Sequence, residues 1–128
     1  MFTKITEGVK VSVDTEFQAS YSDPAQSHFV FTYKVRIENL SSYTVQLLTR
    51  NWNIQDSFAP KRNISGEGVV GVKPIIEPGD SHEYVSGCNL LSELGKMCGS
   101  YTFERILNGE KFFVSIPEFV LCVPYRLN

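Results

Sequence analysis

The chain has little of what marks a disulfide-built, metal-bound or membrane protein. Its three cysteines, Cys88, Cys98 and Cys122, are odd in number and form no C-x-x-C pair, so they suit neither a disulfide framework nor a zinc ribbon. Reduced and mostly buried thiols are expected. Histidine occurs twice, as His28 and His82. His82 and Cys88 share strand parity, yet six residues of straight extended chain would hold them ~20 Å apart, whereas co-ligands of one zinc-like ion lie within about 4 Å of each other. There is no D-x-D-x-D-G loop and no H-E-x-x-H helix, so calcium and zinc lack their usual signatures. Apolar runs never approach the roughly 18 residues of a membrane span, and Met1 to Gly8 lacks the apolar core of a secretory signal. A soluble cytoplasmic protein is expected. The sequon Asn63-Ile64-Ser65 would then never meet the enzyme that uses it. A net charge of −2 removes any global electrostatic case for nucleic acid or for an anionic membrane surface.

Catalytic signals are equally sparse. A serine nucleophile needs a neighbouring base and an oriented third group, and neither Ser65 nor Ser86 has them nearby in sequence. No enzyme activity and no cofactor are expected.

What is present is ordinary globular material: 128 residues, 42% hydrophobic and 20% charged, which fit one domain with a core of its own. Its periodicity is that of strands. From Phe29 to Ile37 the odd positions Phe29, Phe31, Tyr33, Val35 and Ile37 are apolar against Thr32, Lys34, Arg36 and Glu38, a period of two with one dry face. Val9, Val11, Val13, Thr15 and Phe17 repeat the pattern. Between these runs Ser20 to Ser27, with Ser22-Asp23-Pro24, reads as a loop. After a turn at Asn39 to Tyr43, Val45 and Leu47 lie on one parity while Leu48, Trp52 and Ile54 lie on the other, which predicts a bulge.

Asp56 to Lys61 reads as a loop and Arg62 to Ser65 as a short extended segment. Pro78-Gly79-Asp80 is a turn, followed by a strand from His82 to Cys88. Asn89 to Lys96 reads as a loop with one helical turn around Leu90, Leu91 and Leu94. Met97 to Ile106 and Lys111 to Val123 flank Leu107-Asn108-Gly109-Glu110, where Asn-Gly is a hairpin signal. Pro117 confines the last strand to an edge or marks a bulge, because it cannot donate to a ladder. Seven to eight strands without an amphipathic helix imply an all-β, antiparallel two-sheet sandwich. Its core is expected around Phe29, Phe31, Tyr33 and Trp52. Its open edges would permit edge-to-edge pairing into a homodimer.

Gly66, Gly68 and Gly71 have the spacing of a dinucleotide-binding fingerprint, which works only where a helix begins and turns its free amides to the phosphates. Pro74 would cost about 3 kcal/mol inside such a helix. A tight glycine turn can still form an anion-binding nest from successive amides, with Arg50, Lys61, Arg62 and Lys73 as nearby charge and Glu67 opposing them. The alternative reading is structural, with glycines at positive φ or a bulge where the chain changes sheets.

Several segments together resemble the ApaG family: Tyr33 to Leu40, Val45 to Leu48 with Arg50 and Trp52, Gly66 to Gly71, Pro74, Glu77-Pro78-Gly79, Tyr84 to Cys88, Gly95 to Tyr101, and Ile116-Pro117 with Phe119. They span about Val9 to Pro124 in order. The chain departs at Asn51, where members often carry histidine, and at Glu118, where a second proline is common. The resemblance implies a single ApaG domain over residues 1–128 with an immunoglobulin-like or fibronectin type III-like sandwich. It also implies a non-enzymatic module that binds a protein partner or a small anionic ligand, and a family association with cobalt resistance and magnesium efflux. A metal-handling protein or phosphohydrolase in divalent cation homeostasis is the alternative. Tyr101 resembles a corner tyrosine that ties a loop through its hydroxyl.

Overall fold

A computed structural model describes residues 1–127. Alternating burial dictates its architecture: β3 (Phe29–Asn39) buries every odd residue from Phe29 to Asn39, and β2 (Val9–Phe17) buries Val9, Val11 and Val13 completely. Strands with one dry face must stack on another sheet. One sheet has the order β1-β2-β3-β7, with β1 at Phe2–Thr6 and β7 at Ser81–Leu90. The other has the order β5-β4-β8-β9, formed by β4 (Val45–Asp56), β5 (Arg62–Glu67), β8 (Leu94–Arg105) and β9 (Lys111–Cys122). The two-residue β6 (Ile75–Ile76) pairs with β4.

This is the antiparallel, immunoglobulin-like sandwich that the periodicity and the family resemblance imply, with nine strands among the described residues where seven to eight were expected. Two short ones account for the difference. β1 forms a hairpin with β2 across the two-residue turn Glu7-Gly8, both in the left-handed region at φ 51° and 77°. β6 follows Pro74 and is only two residues long.

Tyr33 and Trp52 pack at 5.3 Å between ring centroids, and Phe119 lies 5.7 and 5.8 Å from them. Phe29, Phe31, Tyr33 and Trp52 are all buried. The parity switch in β4 is a bulge: Leu47 faces Phe103 and Thr49 faces Thr102, leaving Leu48 unmatched. Pro117 is accommodated in both ways expected, since β9 ends its sheet and its register shifts between Met97 and Gly99.

One expectation needs correction. Asn89 to Lys96 contains no helical turn; β7 and β8 run through it and close a tight turn at residues 91–93. There the Asp56 carboxylate accepts from the Leu91 amide and the Ser92 hydroxyl, each at 2.6 Å, which satisfies a turn that a helix would otherwise have satisfied. The hairpin signalled by Asn108-Gly109 does form: β8 and β9 pair antiparallel across it, and the Arg105 amide donates to the Glu110 carbonyl at 2.8 Å.

Candidate functional site

The sheets close on one flank and stay open on the other. β9 lies against both β1 and β2 on one flank, whereas at the far end β5 packs mainly on β4 and reaches β7 only through the Arg62 side chain. Between the edges of β5 and β7 runs a cleft of about 320 Å³, lined by Tyr33, Arg50, Trp52, Arg62, Ile64, Ser86 and Cys88. It continues into a hollow of about 340 Å³ under residues 67–71, sharing Tyr33, Arg50, Trp52 and Ser86.

Arg50 enters the cleft because the bulge at Leu48 turns it onto the parity of Trp52 and Ile54, the core-facing one. Its cross-strand partner is Gly66. A Cβ at Gly66 would stand 2.6 Å from Arg50 Nη2 and 2.8 Å from Cζ, so the missing side chain is what lets the guanidinium lie against β5. Nη1 donates to the carbonyls of Glu67 and Gly68, each at 2.9 Å. Among the described residues, no carboxylate pairs with Arg50. The positive charge instead opposes the effect of burial on Tyr33 and Tyr84, whose phenols burial pushes up.

At the other end, Arg62 Nη2 donates to the Asn89 carbonyl at 2.7 Å and touches Cys88 Sγ at 3.8 Å. Arg62 also lacks a paired carboxylate among the described residues. Burial pushes the Cys88 thiol up and the Arg62 charge only partly offsets it, which leaves the sulfur protonated and a poor nucleophile. Burial pushes the nearby Asp56 up as well, but the hydrogen bonds from Ser92, Leu91 and Phe58, with the charge of Arg62, outweigh it and lower its pKa.

The glycine loop is a tight turn. The Val69 amide donates to the Val72 carbonyl at 2.8 Å, and the Val72 amide to the Val69 carbonyl at 3.1 Å. Val70 and Gly71 stand at φ 48° and 80°, the left-handed pair of a type I′ turn. Gly71 suits that geometry; Val70, β-branched, is strained there. Gly68 is also left-handed at φ 61°, and its amide donates to the Leu48 carbonyl at 2.8 Å. The amides of Gly68, Val69 and Val72 are thus committed to carbonyls.

Of the six residues singled out for anion binding, the structure brings Arg50 and Arg62 to one cleft and sets Gly66 beneath Arg50. Gly68 supplies a carbonyl to Arg50, while Gly71 serves the turn. Lys73 turns to Glu67 at 2.6 Å, a pair that lowers the Glu67 pKa. Lys61 lies with Asn53, Gln55, Lys96 and Cys98 around a separate surface hollow.

Sequence reasoning missed Tyr33 and Ser86 as wall residues, although the register pairs them directly, with Ser86 among the neighbours that oppose the effect of burial on the Tyr33 phenol. Tyr101 does not tie a loop. It is fully buried and its hydroxyl meets that of Tyr84, joining the two sheets through their phenols. Among the described residues, no three of His, Cys, Asp and Glu gather where one ion could be held, and no helix is long and apolar enough to cross a membrane. Cys88 is buried while Cys98 and Cys122 are half-buried, all as free thiols.

Comparison with known proteins extends the picture. A family model described as ApaG domain matches residues 19–105. Protein ApaG of Brucella canis is 40% identical over 124 residues, spanning 97% of this chain and 95% of that one. Protein ApaG of Paramagnetospirillum magneticum is 40% identical over 131 residues, spanning 100% of both. Among solved structures, the putative ApaA protein of Bordetella pertussis superposes with a TM-score of 0.87 at 40% identity, covering 91% of this chain and 94% of that one.

Proposed function

This chain belongs to the ApaG domain family, and on that footing we propose that it is a cytoplasmic, non-enzymatic binding module which recognises an anionic group in the cleft between β5 and β7. The observation that carries the reading is the pair Arg50 and Arg62, two guanidiniums held on backbone carbonyls with, among the described residues, no carboxylate in ion-pair contact with either, although Asp56 feels the charge of Arg62. Arginine in that state presents a rigid fork of donors to carboxylate or phosphate oxygens. Gly66 supports the reading by giving the Arg50 guanidinium its seat.

A binding role is favoured over chemistry by what the walls offer. Among the described residues lining the cleft no histidine stands to activate Ser86, and the Cys88 thiol is raised rather than activated. Any bearing on cobalt and magnesium is placed downstream of this recognition, as a consequence of what the module binds.

The test uses tripolyphosphate as probe, followed through arginine side-chain and backbone resonances. The Nε–Hε signals of Arg50 and Arg62 and the amides of Gly66 to Gly68 shift saturably, and the double variant Arg50→Gln, Arg62→Gln abolishes the shifts. Signals that stay in place at millimolar tripolyphosphate sink the reading.

A further inference from the structure

We propose that the open cleft is a strand-addition site, where an extended peptide pairs with the edge of β7 and lays an acidic, an apolar and a second acidic side chain, at alternate positions, onto Arg62, Ile64 and Arg50. The inference rests on the anion recognition proposed above and adds the form of the ligand.

The first argument is the direction of the β7 peptide groups. The Val30 amide donates to Ser22 Oγ at 2.9 Å and its carbonyl accepts from the Gln18 amide at 2.8 Å. Val30 therefore turns away from β7, and so its cross-strand partner Asn89 must point its own peptide groups away from β3. The Arg62 contact on the Asn89 carbonyl agrees with that. By the period of two, Gly87, Val85 and Glu83 also present N–H and C=O to the open side, where β7 has no neighbouring strand,.

The second argument is an uncovered interior face. Arg62, Ile64 and Gly66 are paired with Ile54, Trp52 and Arg50 and so share their core-facing side. Trp52 is 3% exposed, yet Ile64 directly beside it is 42% exposed. One more strand beside β7 would lie over Ile64 and complete the sandwich.

The third argument is charge and spacing. Among the described residues, Arg36 and Arg105 hold carboxylates, whereas Arg50 and Arg62 hold none. They stand at the ends of a four-residue step of strand, about 13 Å along the backbone, with the apolar Ile64 between them. That separation is too long for one phosphate and matches two inward side chains at positions i and i+4 of an added strand. Main-chain bonds to the edge would supply affinity and the three alternate side chains selectivity.

The probe is a blocked seven-residue peptide of four threonines alternating with glutamate, valine and glutamate, added to the whole chain and followed by NMR and amide hydrogen exchange. Saturable binding at or below about 1 mM is expected, with exchange at Glu83, Val85 and Gly87 slowed at least about tenfold. Tyr84, Ser86 and Cys88, already bonded to β3, should change little. The added strand is taken as antiparallel to β7, like every pairing in the two sheets; directly opposed residues then bond each other and share a face, so the peptide residues bonded to β7 are its threonines, whose side chains lie outward. Methylating the threonine nitrogens abolishes binding if the inference holds, while methylating those of valine and the glutamates leaves it. Equal loss from both methylations, or binding without alternate protection of β7, overturns strand addition. Arginine shifts with tripolyphosphate but no peptide binding overturn it too, leaving the anion reading standing. Silence to both probes removes both.

Discussion

The two flanks of the sandwich end the same kind of sheet in opposite ways. Where β1 meets β9, the Phe2 ring packs 6.2 Å from Phe119, the Ser115 amide donates to Thr6 Oγ1 at 3.3 Å, and Arg105 reaches Glu7 at 3.5 Å. Where β7 faces β5, an isoleucine is left half in water and, among the described residues, two arginines have no carboxylate in ion-pair contact. Sealing the first flank takes one ring, one hydroxyl and one ion pair. The lack of any such closure on the second therefore reflects which residues occupy it and is no general limit of the fold, since unprotected edges are ordinarily blunted or covered.

Breaking the sealed flank should have the largest effect. Phe119 is fully buried and touches Phe2, Tyr33 and Trp52, so Phe119→Ala should cost about 3–5 kcal/mol, read as the loss of unfolding free energy in urea. A smaller loss, of about 1 kcal/mol, is expected from Thr6→Val, which leaves the Ser115 amide without its acceptor. Ser115 should then exchange faster than its neighbours in β9, and an unchanged rate would show that the hydroxyl is not what closes that flank. The smallest change falls beside the open flank and has the opposite sign. Val70→Asn places a residue tolerant of left-handed φ before Gly71 and should stabilise by about 0.5–1 kcal/mol, seen as a raised urea midpoint with an unchanged slope. Destabilisation would mean that Val70 makes contacts outweighing its backbone strain.

The sealed parts of the molecule were the more legible in sequence. Strict alternation from Phe29 to Ile37 and from Val9 to Phe17 can bury one face in only one way, and the parity switch at Leu47 and Leu48 located the bulge. β1 left a weaker signal, the Glu7-Gly8 step before Val9, because its own residues are mostly exposed. The turn at residues 91–93 was read as helical because Leu90, Leu91 and Leu94 mimic helical spacing. What decides that turn is Asp56, 35 residues away from Leu91 and invisible to a local pattern.

The candidate site was half legible. Arg50, Arg62 and Gly66 stood out, and of the two readings of the glycines, an amide cradle or a structural turn at positive φ, the chain takes the turn at Gly68 and Gly71 and seats an arginine against Gly66. Tyr33 and Ser86 could not be placed beside them, since that depends on the stacking of β7 over β4 and on no feature of either segment.

The single tryptophan of the chain forms part of the cleft wall and is wedged among Tyr33, Tyr101 and Phe119. The molecule therefore carries an intrinsic fluorophore in the wall of the cleft proposed for recognition. Occupancy can be followed as a change in Trp52 emission or quenching, without a label and with no second indole to dilute the signal.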